Sequence, residues 1–181
     1  ALVIVNSAPS VPEIDPIDTP ASALEICAGT STTITLENPS DGSTAHWFTS
    51  FSSTNSIATG NVFVTDNLSE NSTFYVERRS GNCESARIAI DVQVINAPNA
   101  PTTSNQVFCG TPTVSDLLAS GDNIKWYNDA TGGVNLGAGV VLATGNYYAS
   151  QTNNGCESVD RALAAVTVTP IPAAPTGNAV Q

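Results

Sequence analysis

The stretch that decides the fold runs from Tyr147 to Val168 and begins Y-Y-A-S-Q-T-N-N-G-C-E-S over residues 147–158. An earlier copy runs from Phe74 to Val94 and begins F-Y-V-E-R-R-S-G-N-C-E-S over residues 74–85. Each copy opens with an aromatic pair, turns at an Asn and a Gly before a cysteine, and returns as an alternating strand. This pattern predicts two β-hairpins, each with a cysteine at its tip.

The composition is that of an extracellular all-β protein, because Val and Thr favour strands while Gly, Asn and Pro favour turns. The 181 residues carry a net charge of -11 and only five Lys plus Arg. A basic face for nucleic acid cannot be built from so few cations, and an anionic membrane surface is disfavoured for the same reason. No apolar run approaches the length of a membrane span. The apolar residues 1–5 lack a basic flank, so they are not a signal peptide.

A strand that ends in P-x-x-P occurs three times, before Pro9, Pro98 and Pro172. Recurrence at this spacing predicts an array of small domains. Residues 1–8 are expected to be the last strand of a preceding repeat, and residues 172–181 a linker to a following repeat. Between them lie repeat one, residues 9–97, and repeat two, residues 98–171.

Each repeat shows about seven short alternating segments and no helical periodicity. The segments 113–117, 134–136 and 140–142 are among the predicted strands of repeat two. The prediction is an all-β protein made of two tandem immunoglobulin-like β-sandwich repeats, joined by a short proline linker. Trp47 and Trp126 are the expected core residues. The side chains expected to face inward on the closing strands are Ile88, Ile90, Val92 and Val94, and Ala162, Ala164, Val166 and Val168.

The repeats share a cysteine, a Trp-Phe or Trp-Tyr pair, an aromatic-Tyr pair, Cys-Glu-Ser, an Arg and a closing strand before the linker prolines. This combination resembles the Ig-like repeats of large surface proteins that gliding Bacteroidetes export by type IX secretion, gliding-motility adhesins among them. The resemblance covers nearly the whole chain. It implies an extracellular, cell-surface protein without catalytic residues, cofactor or metal. Repeat one departs from the pattern because it lacks the Gly-Gly turn after its Trp.

Each repeat contains two of the four cysteines, Cys27 and Cys83 in the first and Cys109 and Cys156 in the second. Two bonds allow three pairings. Pairing within each repeat is expected, because domains fold as units and each copy has one cysteine at each equivalent place. Cys27–Cys83 and Cys109–Cys156 would then staple one end of each sandwich. Zinc is disfavoured because no C-x-x-C pair exists and His46 is the only histidine.

Other polar residues are weaker candidates. Glu13, Asp15 and Asp18 offer oxygen ligands for a single calcium ion, although the second junction has no acid. His46 and Lys125 precede the tryptophans and are expected to face solvent. The Glu-Ser pairs at 84–85 and 157–158 are expected to be hairpin residues, with a Glu–Arg pair worth little at the surface.

The leading hypothesis is a monomeric stalk of a surface adhesin, in gliding motility or attachment. Its partners would be neighbouring repeats of the same chain and, through other parts of the chain, surface polysaccharide. Two alternatives remain: a carbohydrate- or ligand-binding module, and accessory repeats of a secreted enzyme. For a stalk, the short proline linker predicts an elongated rod.

Overall fold

The computed structural model describes residues 7–16 and 24–174. The protein is all-β and consists of two Ig-like domains. They separate into the compact units Ala1–Asn96 and Ala97–Gln181, and each is described by itself. Residues 1–6 of the expected preceding strand, Asp18, and residues 175–181 of the expected following linker lie outside the described residues.

Repeat one contains eight described strands, which form a large sheet and a small one. The large sheet has the order β1-β8-β6-β3-β4 with β7 paired to β6, and the small sheet pairs β2 with β5. The strands are β1 Glu25–Cys27, β2 Thr33–Thr35, β3 Thr44–Phe48, β4 Ala58–Thr59, β5 Val62–Val64, β6 Ser72–Ser80, β7 Cys83–Glu84 and β8 Ile88–Ile95.

The core of repeat one lies between these sheets. Trp47 is 0% exposed and stacks on Phe63 with ring centroids 4.9 Å apart. Its indole N–H donates to the carbonyl of Gly60 at 2.9 Å, so its one polar atom is satisfied inside the core. Ile90 and Val92 are buried, and alternation along β8 turns the residues between them outward.

Repeat two has eight strands in a similar arrangement. A four-stranded sheet has the order β10-β16-β13-β12, and two small sheets pair β9 with β11 and β14 with β15. Its strands are β9 Thr102–Thr103, β10 Gln106–Cys109, β11 Ala119–Ser120, β12 Lys125–Tyr127, β13 Gly145–Ser150, β14 Thr152–Asn153, β15 Cys156–Glu157 and β16 Ala162–Thr169. Trp126 is 5% exposed and packs with Leu142, Ala164 and Val166.

The predicted strand at residues 113–117 is wrong, because the structure has a 3-10 turn at Val114–Asp116. The Asp116 carboxylate accepts the backbone N–H of Thr113 at 2.7 Å, which closes the turn. A Thr followed three residues later by an acid is a helix-capping pattern, and it outweighs the β-branched residues between them. Residues 134–136 and 140–142 are irregular too, apart from a single bridge between Val141 and Thr113.

The chain enters each repeat at one end, here called the leading end, and leaves it at the opposite end, here called the trailing end. At the leading end of repeat one, the Ser10 N–H donates to Asp41, close to where β3 begins opposite Arg79. At its trailing end, β8 finishes at Ile95. In repeat two, the Gln151 amide donates to the Asn99 carbonyl at 2.7 Å at the leading end, and β16 finishes at the trailing end.

Candidate functional site

The four cysteines do not pair as predicted from the sequence. Cys27 and Cys156 each take part in a disulfide bond, whereas Cys83 and Cys109 do not. Neither Cys27–Cys83 nor Cys109–Cys156 is present.

Strand register gives the reason in repeat one. β1 runs parallel to β8, with Cys27 beside Ile95 at the trailing end. Cys83 lies opposite Ser80, at the tip of the hairpin. The nine residues of β6 from Ser72 to Ser80 separate those ends by about 26 Å, whereas a disulfide needs Cα atoms within about 7 Å.

Repeat two has the same geometry. Cys109 lies beside Thr169 in the parallel pair of β10 and β16, and Cys156 lies opposite Asn153 at the hairpin tip. The tip is a two-residue turn in which Asn154 and Gly155 have φ of 47° and 80°, the left-handed values that a tight hairpin requires. In each repeat, therefore, one cysteine marks the trailing end and the other the leading end.

A buried ionic cluster lies on the outer face of β3 and β6 in repeat one. Glu77 is only 4% exposed, and its carboxylate pairs with Arg79 at 2.6 Å and Arg87 at 2.8 Å. Burial alone would raise the pKa of the Glu77 carboxyl, but the hydrogen bonds from Arg79 and Arg87 outweigh it and lower the pKa. The carboxylate is thus charged and fully occupied, so it is a structural group and not a general base.

Arg87 also holds the loop that follows β3. Its guanidinium lies 3.6 Å from the centroid of the Phe48 ring. It donates to three loop carbonyls, those of Ser50, Phe51 and Ser53, at 3.2, 2.7 and 3.0 Å. One side chain therefore joins the hairpin, an aromatic ring and a loop.

Arg161 repeats this arrangement in the second domain. Its guanidinium lies 3.4 Å from the Tyr127 ring centroid and donates to the carbonyls of Asp129 and Gly132, both at 2.8 Å. The arginine that follows Cys-Glu-Ser in each repeat is therefore a loop clamp.

A second polar cluster surrounds Glu157. Its carboxylate accepts hydrogen bonds from Lys125 at 2.8 Å, and from Tyr127 and Ser150, each at 2.6 Å. Burial would raise the pKa of the Glu157 carboxyl, but these three hydrogen bonds lower it to about 2. The Lys125 side chain is 41% exposed, as expected for an outward-facing neighbour of Trp126, and it forms an ion pair with Glu157.

His46 occupies the equivalent place in repeat one and is half-buried. Burial, and then the charge of Arg79, lower the pKa of its imidazole. Within the described residues its Nδ1 atom has no hydrogen-bond partner. Ser85 and Ser158 lie in the hairpins, where their hydroxyl oxygens accept hydrogen bonds from the backbone N–H of Arg78 and Gln151.

Sequence reasoning missed Glu77, Arg78 and Arg79. Arg78 is 2% exposed and donates to the Glu37 carbonyl and to Asn61. A signal was available, since three of the five basic residues of the chain fall within one hairpin, at positions 78, 79 and 87. All five basic side chains are engaged in such contacts, which leaves no basic patch for a polyanion.

Repeat one also contains an open groove with a volume of 720 Å³ beside β4, β5 and the start of β6. Phe63 and Phe74 form its floor, and the exposed side chains of Ile57, Val62 and Val64 border it. Both aromatic rings also belong to the core of repeat one, where Phe63 stacks on Trp47.

The described residues provide no set of side chains that could bind the calcium ion considered from the sequence. In the parts of the chain that the structure describes, no three His, Cys, Asp or Glu side chains are placed to hold a metal ion, and Asp18 is outside those parts. Across the same residues, no helix is long and apolar enough to cross a membrane.

Residues 12–95 and 98–170 both match the family described as Ig-like domain, CHU_C associated. The chain therefore belongs to this family of Ig-like domains and contains two copies. No curated protein matches the chain.

Solved structures with similar folds include three sets of animal Ig domains. The insect immune protein hemolin has 15% identity, covers 80% of this chain and gives a TM-score of 0.37. Domains 3–5 of Drosophila OTK have 10% identity, cover 80% of this chain and give a TM-score of 0.39. Dpr2 Ig1–Ig2 in complex with DIP-Theta Ig1–Ig3 has 12% identity, covers 88% of this chain and gives a TM-score of 0.32. The matches span 44%, 58% and 65% of the length of those chains.

Proposed function

We propose that the chain is a spacer segment of an extracellular surface adhesin, holding a more distal part of the protein away from the cell. The observation that carries this proposal is that the chain starts and leaves each repeat at opposite ends. Units connected in this way add their lengths along a stalk. The proposal includes no catalytic role and no cofactor.

The parallel strand pairs support a load-bearing role. β1 lies beside β8 over three residue pairs, and β10 beside β16 over four. When a repeat is pulled by its chain ends, the first strand of each pair is drawn towards the leading end and the last towards the trailing end. Their hydrogen bonds are then loaded together in shear and not opened one at a time.

The finer assignment, to a gliding-motility adhesin such as SprB exported by type IX secretion, rests on the sequence resemblance. Family membership and the presence of a disulfide support an exported, cell-surface setting. With a net charge of -11, neighbouring copies repel one another, which favours a monomer. Any polysaccharide contact would then come from other parts of the full protein.

Small-angle scattering tests the stalk. Nine strand residues span about 30 Å, so two repeats in line should give a maximum dimension of about 60–70 Å. Pro98→Gly should broaden the distance distribution while leaving the melting temperature of both repeats almost unchanged. A maximum dimension near 40 Å for the unmodified chain would contradict the stalk.

The groove of repeat one favours a second candidate, a ligand-binding module. Its apolar rim could hold the apolar face of a sugar or a lipid-like chain, with Thr73 and Asp66 as polar neighbours. Saturation-transfer NMR with soluble bacterial polysaccharides tests it. A signal that Val62→Asp abolishes would support binding there, and the absence of any signal would remove this candidate.

A further inference from the structure

We propose that the groove of repeat one binds an extended polypeptide strand, which pairs with the open edge of β5 and carries an apolar side chain where it faces the core. The strand belongs to a separate protein and is basic or neutral. The inference names the ligand class of the groove, so it rests on the ligand-binding candidate and not on the spacer role.

The first observation is that β5 is an edge strand. Within the described residues its sheet pairs it with β2 alone, and the bridge between Ile14 and Leu36 lies on the far side of β2. β4, which precedes β5 along the chain, pairs with β3 of the large sheet and not with β5. The edge of β5 that faces away from β2 therefore has no strand beside it in the part of the chain that the structure describes.

The register of β2 and β5 fixes which backbone groups lie at that edge. The Leu36 N–H donates to the Asn61 carbonyl at 2.8 Å. Hydrogen-bonded residues alternate along an antiparallel pair, so Asn61 and Phe63 turn their backbone groups towards β2, whereas Val62 and Val64 turn theirs away. Both valines line the groove, and together they present two N–H donors and two carbonyl acceptors at its side.

An extended polypeptide is the ligand that matches this edge. Two of its residues, placed opposite Val62 and Val64, can form up to four backbone hydrogen bonds, as in the addition of a strand to a sheet. A polypeptide repeats one N–H and one carbonyl on the same edge at every second residue, whereas an acyl chain has no hydrogen-bonding groups along its length. The backbone of β5 therefore favours a polypeptide in this groove.

The floor of the groove determines the side chains of the strand. Residues directly opposite each other on neighbouring strands point to the same face of the sheet. A side chain opposite Phe63 therefore points towards the core, where Phe63 and Phe74 meet edge to face with ring centroids 5.0 Å apart. That residue should be apolar. The residues opposite Val62 and Val64 lie on the outer face, where both valines are exposed, and should be β-branched.

Charge adds a further preference. Asp66 is exposed, lines the groove and lies two residues after Val64, on the same face by alternation. No basic side chain is among the described residues that line the groove, and the whole chain carries a net charge of -11. An acidic strand is repelled, whereas a lysine opposite Asp66 is attracted. The same net charge disfavours a second copy of this chain as the occupant.

The test uses the 181-residue chain and the peptide K-V-T-I-T-V-T, capped at both ends. In antiparallel pairing its central I lies opposite Phe63 and its K lies opposite Asp66. In the free protein, hydrogen exchange followed by NMR should be fast for the amides of Val62 and Val64 and slow for that of Phe63. Peptide at ten times its Kd should slow exchange at both valines about tenfold and leave Phe63 almost unchanged.

Peptide and charge variants test the side-chain preferences. The peptide E-V-T-I-T-V-T should bind more weakly than the lysine peptide, and K-V-T-D-T-V-T should lose binding. Asp66→Lys should reverse the preference between the lysine and glutamate peptides. Because Asp66 is exposed, its replacement leaves the core intact, and a reversal of preference is a result that a folding defect does not produce.

A proline variant tests the backbone edge. Val64→Pro removes one outward N–H and no donor to β2, so it should weaken peptide binding about tenfold with an almost unchanged melting temperature. Val107→Pro is the matched control, because Val107 is exposed on the edge strand β10 and does not line the groove. Alternate N–H groups bond β16, that of Gly110 among them, so the Val107 N–H also points outward. This variant should leave peptide binding unchanged.

Four results would overturn the proposal. The first is slow exchange at Val62 and Val64 in the free monomer, and the second is fast exchange that no peptide slows. The third is protection that appears when the protein alone is concentrated and its mass doubles, because a second copy then occupies the edge. The fourth is a groove that responds to soluble polysaccharides and not to the peptide, which would refute the polypeptide and leave the ligand-binding candidate standing.

Discussion

Replacing Arg87 by Ala tests whether the buried cluster stabilises repeat one. Arg87 is one of two cations that neutralise Glu77, which is 4% exposed. The substitution also removes the ring contact with Phe48 and the hydrogen bonds to three loop carbonyls. A buried carboxylate is then left with Arg79 as its only ion-pair partner among the described residues.

Breaking a buried ion pair by removing one partner costs about 3–5 kcal/mol. Because Arg79 still contacts Glu77 at 2.6 Å, the lower value of about 3 kcal/mol is expected. In a domain of this size each kcal/mol lowers the melting temperature by about 4–8 °C, so repeat one should melt at least about 12 °C lower.

Calorimetry is the assay, with a separate transition expected for each repeat. Arg161→Ala is the matched control, because within the described residues Arg161 makes the same kind of ring and carbonyl contacts but no ion pair with a carboxylate. It should lower the free energy of unfolding of repeat two by only about 1–2 kcal/mol.

The effect of Arg87→Ala should also depend on pH. In the unmodified protein the pKa of Glu77 is lowered, so its stabilising contribution is present above the unfolded pKa of about 4.3 and is lost as pH falls through the folded value. In the variant burial outweighs the remaining pairing and the pKa rises. The difference between the two proteins should therefore shrink as pH falls below about 5. A loss under 1 kcal/mol at pH 7, or a loss independent of pH, would refute the argument.

Three other predictions concern repeat two and the linker. The pKa of Glu157 is lowered to about 2, so the stability of repeat two should fall by about 3 kcal/mol as pH drops from about 4.5 to about 2, and Glu157→Gln should flatten that dependence in acid denaturation. Trp126→Ala should cost about 3–5 kcal/mol by leaving a cavity, and an unchanged melting temperature would contradict its place in the core. Gln151→Ala removes the hydrogen bond to the Asn99 carbonyl and should broaden the scattering distance distribution, whereas Gln93→Ala on an exposed strand position should not.

The fold could be predicted because its signals are local. Alternation along residues 88–95 and 162–169 and the turns at their hairpin tips are short-range patterns, and the structure has strands and turns there. The failure at residues 113–117 was local too. Val and Thr favour strands, but Thr113 and Asp116 together close a turn.

The buried clusters could not be predicted in the same way. Alternation correctly turns Glu77 away from Trp47, and the outer face of a sheet is usually solvated. What buries Glu77 is the covering guanidinium of Arg87, which is held in place by carbonyls of a Ser- and Thr-rich loop. Such a contact between distant segments leaves no periodic trace in either segment.

The pairing of the cysteines could not be predicted from the sequence either. One cysteine at each of two equivalent positions is compatible with bonds inside repeats and with bonds between them, because both schemes use every position once. The parallel pairing of β1 with β8 distinguishes the schemes, since it carries Cys27 to the end opposite the hairpin tip. Because the length of β8 lies between Cys27 and Cys83, the two cysteines of repeat one cannot bond each other in this fold.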